Sequence, residues 1–78
     1  MLEVRILTPT GLLFEGEVVS LTLPGTMGSF TVLERHAPII SSLDAGEVVC
    51  HSANGEHRFE CNGGFVGVEN NVATVCIE

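Results

Sequence analysis

The stretch LPGTMGSFTVLERHAP, residues 23–38, decides how this chain folds. Pro24 removes a backbone donor and fixes φ, and Gly25 and Gly28 permit positive φ, so the stretch begins with a turn. A short apolar segment follows, which is typical of a strand, and Pro38 ends it. The stretch therefore predicts two turns on either side of one strand, and its residues set backbone geometry without supplying reactive groups.

Similar groups of turn residues punctuate the rest of the chain. Gly63 and Gly64 precede another apolar segment, and no stretch free of both Gly and Pro exceeds eleven residues. No ordinary helix fits between such interruptions. We expect six structural turn residues, namely Pro24, Gly25, Gly28, Pro38, Gly63 and Gly64.

Short segments of alternating or β-branched residues fill the intervals between the turns. Asn54 and Gly55 lie between two such segments and predict a hairpin with a type I′ turn, and Asn70 and Asn71 predict a second hairpin. The chain is therefore predicted to be all-β. We expect a single domain over residues 1–78, folded as a two-sheet antiparallel β-sandwich of about eight to ten short strands.

Alternation along these strands also predicts which side chains form the core. Adjacent apolar residues at 18–19, 48–49 and 75–77 break strict alternation, so we expect part of the outer surface to be apolar and to need a partner. The predicted core consists of Val4, Ile6, Val19, Leu21, Leu23, Phe30, Val32, Val48, Phe59, Val66, Val68 and Val75.

The charge composition excludes nucleic acid as a partner. Ten Asp and Glu stand against three Arg and no Lys, which gives a net charge of −7. Binding to phosphate backbones needs clustered cations, whereas these arginines are scattered singly. No apolar run reaches the roughly 18 residues that span a bilayer, and Glu3 and Arg5 interrupt the N-terminal segment where a signal peptide is apolar. We expect a soluble protein with no direct bilayer insertion.

No group of residues points to catalysis, metal binding or a cofactor. Ser41 and Ser42 lie near His36 in sequence, but not at the strand-to-helix elbow that a nucleophilic serine uses. Adjacent Cys50 and His51 point to opposite faces of a strand, so they cannot bind one zinc ion together. The odd number of cysteines favours free thiols in a reducing compartment. We expect no catalytic residue, no metal and no cofactor.

His36 is the one side chain whose setting is suggestive, because it lies in a polar loop between Arg35 and Ala37. Its ring either forms hydrogen bonds within the loop, as a structural histidine, or is presented to a protein partner. The residues leave both interpretations open.

Taken in order, the turn and strand residues resemble those of one known family. The residues that match are Thr8, Pro9, Gly11, Phe14, Gly16, Val18, Leu23, Pro24, Gly25, Gly28, Phe30, Leu33, His36, Ala37, Pro38, Leu43, Gly46, Gly63, Gly64, Phe65, Val68, Asn71, Val72, Thr74 and Val75. Their order and spacing resemble the N-terminal β-sandwich of the epsilon subunit of F-type ATP synthases. The resemblance spans nearly the whole chain, and typical bacterial relatives continue into a helical hairpin where this sequence stops. We interpret the sequence as a naturally short form.

The resemblance implies a non-catalytic rotor subunit in the central stalk, which couples the gamma subunit to the c-ring during ATP synthesis driven by protons or sodium ions. It implies a peripheral position on the cytoplasmic side of a bacterial membrane. By position, Ser29 would face the c-ring, and His36 and Ser41 would meet gamma or the ring. Because the family's nucleotide site lies on the helical hairpin, we expect no nucleotide to bind to this chain alone.

A free-standing β-sandwich that binds a ligand or a protein is the alternative function. A biotinyl or lipoyl carrier domain is also small, acidic and all-β, but this chain has no lysine to carry the prosthetic group. The alternative therefore differs from the rotor hypothesis in its partners, and recovery of gamma and c-ring subunits would distinguish the two.

Overall fold

A computed structural model describes residues 1–78, and every regular element in it is a strand. The nine strands are β1 (Leu2–Thr8), β2 (Gly11–Val18), β3 (Ser20–Gly25), β4 (Gly28–Leu33), β5 (Ile39–Leu43), β6 (Gly46–Ser52), β7 (Gly55–Cys61), β8 (Gly64–Glu69) and β9 (Val72–Ile77). The all-β prediction and the expected number of strands are confirmed. No membrane-spanning helix is present.

The strands form two layers, which a single bridge pair between Gly25 and Leu43 joins. Sheet I has the strand order β2-β1-β9-β8-β5, and sheet II has the order β4-β3-β6-β7. The predicted β-sandwich is therefore confirmed. One pairing differs from the expected antiparallel arrangement, because β1 and β9 run parallel. Alternation reveals which face of a strand is buried but not which distant strand lies beside it, so the sequence did not indicate this pairing.

One long hairpin crosses from sheet II to sheet I and contributes two strands to each. In sheet II it pairs β6 with β7 from Ser52↔Gly55 to Gly46↔Cys61. In sheet I it pairs β5 with β8 from Leu43↔Gly64 outward, and the register does not shift between the two. The hairpin bends where residues 44–45 and 62–63 separate the paired strands. We call this bend the corner, and it is the place where strands pass between layers, as in orthogonally packed sheets.

The corner requires glycine. Gly63 and Gly64, both expected to be turn residues, have φ of 133° and 142°, which residues with a side chain rarely adopt. A Cβ atom at Gly64 would lie 2.0 Å from the carbonyl oxygen of Cys76 in the neighbouring strand. The thiol of Cys61 braces the bend from inside, because its Sγ accepts the Gly63 N–H at 3.4 Å and lies 3.6 Å from the Asp44 carbonyl oxygen.

The two predicted hairpins are present, but their turns differ. Asn70 and Asn71 connect β8 to β9 and have φ of 51° and 64°, the positive pair of a type I′ turn. The type I′ turn expected at Asn54 and Gly55 is wrong. Ser52 pairs with Gly55, so the two turn residues are 53 and 54, and only Gly55 has a positive φ. The register of the long hairpin decides this, since it places the turn one residue earlier than the sequence motif suggests.

The interior is a single hydrophobic cluster with no buried polar or charged residue. The cluster consists of Leu2, Val4, Ile6, Val18, Leu21, Leu23, Val32, Leu43, Val48, Cys50, Cys61, Val66, Val68, Ala73, Val75 and Ile77. Nine of the twelve predicted core residues are among these. Phe30 and Phe59 are partly buried and pack against the cluster.

The prediction that Val19 is buried is wrong. Its side chain is 55% exposed, and its neighbour Val18 is fully buried instead. Val19 lies in the connection between β2 and β3, where its N–H donates to the carbonyl of His51 at 2.7 Å. The chain changes sheets at this point, so the alternation that holds within a strand does not carry across it.

Replacing Gly64 with Ala tests the corner. We expect Gly64→Ala to lower the free energy of unfolding by at least about 3 kcal/mol, because the new methyl group meets backbone and the φ is strained. Gly67→Ala, in the same strand, is the matched control. A Cβ there meets nothing within 4 Å, so a change within about 0.5 kcal/mol is expected. Urea denaturation followed by far-UV circular dichroism measures both, and equal stabilities would contradict this account.

Candidate functional site

The structure separates the three residues predicted to contact partners. Ser29 is exposed in β4, beside the turn that connects β3 to β4. His36 lies in the loop after β4, where its ring Nδ1–H donates to the Ala37 carbonyl at 2.7 Å. Ser41 is half-buried in β5 on the inner side of sheet I, and its hydroxyl donates to the Ser42 carbonyl at 3.1 Å. Ser29 and His36 lie at opposite ends of β4, so the three do not form one site, and their roles stay predictions.

The turn beside Ser29 is braced against sheet I. Thr26 N–H donates to the Ser42 carbonyl at 3.2 Å, and the hydroxyl oxygens of these two residues lie 2.9 Å apart. Asp44 N–H donates to the Pro24 carbonyl at 2.7 Å. The turn nevertheless presents Met27 to solvent, with 99% of its surface exposed. This end of the sandwich is therefore a fixed projection with a free apolar tip.

The opposite end, which carries His36, is held by a chain of hydrogen bonds among three segments. Arg35, at φ 64°, donates its N–H to the Asn71 side-chain oxygen at 2.8 Å, and the Asn71 amide donates to the Met1 carbonyl at 2.5 Å. The Met1 ammonium lies 2.6 Å from the Glu34 carboxylate, and this hydrogen bond raises the pKa of the amine and lowers the pKa of Glu34. The loop of His36 is thus fixed to Met1, directly before β1, and to Asn71, directly before β9.

The outer surface of sheet I carries three rows of side chains that cross its strands. The row nearest the corner is Leu12, Leu7, Cys76, Phe65 and Ser42, in register from β2 to β5. The second row is Glu15, Arg5, Thr74, Gly67 and Ile40. The third is Glu17, Glu3, Val72 and Glu69. Apolar residues therefore dominate the row nearest the corner, and acidic residues the row farthest from it.

The apolar members of these rows make up one exposed to half-buried outer surface. We call it the apolar face and define it as Leu7, Leu12, Ile40, Phe65, Val72 and Cys76. Ile40 is 87% exposed, and Leu12 and Phe65 are each more than half exposed. Contiguous exposed apolar patches of this kind mark binding surfaces in soluble proteins.

A groove of about 660 Å³ runs beside Ile40 on the apolar face. It exists because Gly67, in the centre of the row, has no side chain, and a Cβ atom there would meet only open space. Pro38 and Val72 form two of its walls, and the carboxylate-bearing Glu69 lies at its rim. A side chain of a partner can therefore enter the sheet surface at Gly67.

The acidic row beside the groove contains no ion pair. Glu3 in β1 stands directly opposite Glu17 in the neighbouring strand β2. Neither of these two residues nor Glu69 forms an ion pair. The nearby cation Arg5 is already paired with Glu15 at 2.7 Å. Like charges opposite each other destabilise a sheet, so this arrangement favours a partner that brings positive charge.

The outer surface of sheet II differs, because its polar groups pair with one another. Arg58 lies 2.9 Å from Glu47 and 2.5 Å from Glu56, and the hydrogen bond to Glu56 is the main cause that raises the Arg58 pKa. The hydroxyl oxygens of Thr22 and Thr31 lie 3.0 Å apart. Glu60, opposite Glu47, is the acidic residue of β7 that forms no ion pair on this face.

Groups for catalysis or metal binding do not converge anywhere in the chain. No three His, Cys, Asp or Glu side chains lie close enough to hold one metal ion. Cys50 and Cys61 are buried, Cys76 is half-buried on the apolar face, and all three are free thiols.

The sequence signalled the apolar face only in part. The run at residues 75–77 correctly places Cys76 on the outer surface. The other two runs mislead, because Val49 is only 8% exposed and Val19 lies outside the face. The sequence does not indicate that Ile40 and Phe65 are exposed. Either could equally be a core residue, and only the pairing of β5 with β8 decides the question.

Comparison with known proteins settles the family. The model of the ATP synthase delta/epsilon chain β-sandwich domain matches residues 1–78. The chain belongs to the ATP synthase delta/epsilon β-sandwich family. The predicted resemblance to the epsilon subunit is thereby confirmed.

Individual relatives agree over nearly the entire chain. The ATP synthase epsilon chain of Endomicrobium trichonymphae is 37% identical over 76 residues, which cover 97% of this chain and 55% of that protein. The epsilon chain of Chlorobium limicola is 39% identical over 77 residues and is covered to 88%. The chain spans about half to two-thirds of the length of most of these relatives.

Solved structures share the fold. A chain in the Euglena gracilis mitochondrial ATP synthase structure containing OSCP, F1 and the c-ring superimposes with a TM-score of 0.89 at 19% identity, over 97% of this chain and 49% of that one. A chain in the Tetrahymena thermophila mitochondrial ATP synthase central stalk and c-ring structure gives a TM-score of 0.80 at 20% identity, over 97% and 62% respectively. The β-sandwich is thus retained at low sequence identity.

Thiol labelling tests how the outer surface of sheet I differs from the core. Burial raises the pKa of the Cys50 thiol to about 11, so about one molecule in a thousand carries the thiolate there at pH 8. We expect iodoacetamide to modify Cys76 at least about tenfold faster than Cys50 in the native protein. Mass spectrometry of peptides measures both rates, and urea-unfolded protein provides the reference in which the rates converge. Equal rates in the native protein would contradict the assigned burial.

Proposed function

We propose that this chain is the β-sandwich part of a non-catalytic central-stalk subunit, which couples the gamma subunit to the c-ring of an F-type ATP synthase. Family membership over residues 1–78 supports this, and the observation that carries the coupling role is the apolar face with its unpaired acidic row. The chain would lie on the cytoplasmic side of the membrane as a peripheral part of the complex. The flow of protons or sodium ions through the complex would rotate it during ATP synthesis.

The apolar face is the surface proposed to contact gamma. Ile40 projects almost completely into solvent, beside a groove that only Gly67 leaves open. An apolar side chain of gamma inserted there would bury Ile40 and Phe65, and about 25 cal/mol is gained for each Å² of apolar surface removed from water. A basic residue of gamma beside it would neutralise Glu3 and Glu17. His36 would lie at the border of this contact, because its loop leads into β5.

The turn beside Ser29 is proposed to meet the c-ring. It lies at the opposite end of β4 from His36, so one domain can contact two partners at once. Its exposed residues are short and polar apart from Met27. Thr26 and Asp44 anchor the turn to sheet I, so a displacement at this turn is transmitted to the apolar face.

Transmission of torque requires that the domain between the two contacts does not deform. The core is entirely apolar, and the long hairpin is continuous through both sheets. Close-packed interiors have low compressibility and transmit strain. The chain offers no constellation for catalysis, and we propose that nucleotide binding, if it occurs in the whole subunit, lies outside these residues.

The groove beside Ile40 also supports the alternative function, a free-standing module that binds a small ligand. Purification of the tagged chain from its native cells separates the two functions. Recovery of gamma and c-ring subunits supports the rotor function, and recovery of neither, with a small molecule retained in the groove, supports the alternative.

Replacing Ile40 with Asp tests the proposed gamma surface. We expect Ile40→Asp to weaken binding to gamma at least about tenfold, because a carboxylate replaces the most exposed apolar side chain of the face and adds to the acidic row. Val19→Asp is the matched control, since Val19 is also exposed but lies outside the face. Its binding should stay within about twofold of the unmodified chain. Surface plasmon resonance on immobilised gamma measures both, and equal losses would refute this surface.

A further inference from the structure

The edge of sheet II formed by β4 lacks the protection that the other edges have. Each of β2, β4 and β7 pairs with a single neighbouring strand. The remaining edge strand, β5, is covered at one end by β3 and its turn, through the Gly25↔Leu43 pair and the hydrogen bond from Thr26 N–H to the Ser42 carbonyl. The exposed edges of β2 and β7 carry charged side chains, namely Glu15, Glu17, Glu56, Arg58 and Glu60. The six residues of β4 include no charge and no proline. Because charges and proline are the usual means by which proteins block pairing at an edge, β4 is the strand open to a further strand.

The register of β4 identifies its unpaired backbone groups. Gly25 and Gly28 close a two-residue turn and form a hydrogen-bonded pair, so the next pair, Pro24 and Ser29, is not hydrogen-bonded. Proline has no N–H, which is why it is tolerated at that position. By alternation the N–H and C=O groups of Ser29 and Thr31 point away from β3. The 3.0 Å contact between the hydroxyl oxygens of Thr22 and Thr31 agrees, because side chains approach most closely in such pairs.

Leu33 continues the same outward series. Its N–H points away from β3, whereas its carbonyl already accepts the N–H of His36 at 3.2 Å. Five outward backbone groups therefore stand in a row, three N–H groups and two carbonyls, on Ser29, Thr31 and Leu33. Such a row is a template for a strand, because main-chain hydrogen bonds supply affinity without a particular side chain.

The side chains next to this edge indicate which residues an added strand would have on each face. Phe30 is only partly buried, and Val32 beside it belongs to the core, so apolar residues of an added strand would continue the inner face of sheet II. Ser29 and Thr31 are exposed on the outer face, where polar residues fit. Glu34 directly follows β4, but its carboxylate is already paired with the Met1 ammonium. The charge that favours a basic strand is therefore the net charge of −7 of the whole chain.

We propose that the free edge of β4 accepts an extended segment of another subunit by strand addition. The segment alternates apolar and polar residues and is positively charged, because it joins a chain with a net charge of −7. A second copy of this chain is a poor occupant, because each copy has a net charge of −7. This inference rests on the proposed function for the identity of the complex. It assigns the contribution of Ser29 to its backbone, whichever subunit supplies the strand.

Hydrogen exchange of individual amides tests the proposal. We compare the isolated chain with the purified ATP synthase complex that contains it, using mass spectrometry with residue-level fragmentation. The amides of Ser29, Thr31 and Leu33 should exchange at least about tenfold more slowly in the complex. Those of Phe30 and Val32, which already bond to β3, should be slow in both. Equal exchange of the outward amides in the two samples would overturn the proposal.

A proline substitution tests the same backbone groups by binding. Thr31→Pro removes one outward N–H, whereas Thr31→Val keeps that N–H and removes the same hydroxyl contact with Thr22. We expect Thr31→Pro to weaken incorporation into the complex at least about tenfold, and Thr31→Val to change it less than twofold. Circular dichroism establishes whether each variant folds. Equal incorporation of two folded variants would overturn the proposal, and if Thr31→Pro does not fold, hydrogen exchange alone decides.

Two further outcomes separate this proposal from its alternatives. If the unmodified chain does not join gamma and the c-ring at all, the proposed function fails, and strand addition to a subunit of that complex fails with it. If it joins them but the outward amides stay unprotected, only strand addition fails. Sedimentation equilibrium of the isolated chain detects self-association, and a dimer that protects the same three amides would identify a second copy as the occupant and refute our proposal.

Discussion

The bend in the long hairpin of β5 to β8 is the constraint on which the rest of the structure depends. Gly64 approaches the carbonyl oxygen of Cys76 so closely that no side chain fits, and the thiol of Cys61 fixes the two bent segments from inside. Because the register continues unchanged through the corner, both sheets are set by one alignment. A slip of one residue would turn the buried side chains of both layers outward together.

The same alignment decides which residues are available to partners. Ile39, Ile40, Ser41 and Ser42 are two apolar and two polar residues in succession, so their sequence does not reveal which faces outward. Pairing with β8 turns Ser41 inward beside Val66 and leaves Ile40 exposed beside Gly67. The apolar face and its groove follow from this one choice. The contact predicted for Ser41 stays a prediction, and its neighbour Ile40 is the more exposed of the two side chains.

The molecule divides its surface among distinct kinds of contact. Sheet I offers an apolar face with unpaired acidic residues, and sheet II offers a face on which charges such as Arg58 and Glu47 neutralise each other. The edge of β4 offers backbone groups alone. With an apolar core and braced loops at both ends, these surfaces keep fixed positions relative to one another. The proposed coupling role requires this rigidity more than it requires reactive groups.

The sequence by itself determined the strand content, the sandwich, the family and most of the core, because Gly and Pro exclude helices and alternation reports burial within a strand. It failed where the chain leaves one strand for another, at Val19 and at the turn of Asn54 and Gly55, since alternation holds only within a strand. Only the tertiary structure decided the parallel pairing of β1 with β9, the exposure of Ile40 and the free edge of β4. Each of these depends on which distant strands become neighbours, and packing of the whole core selects that arrangement.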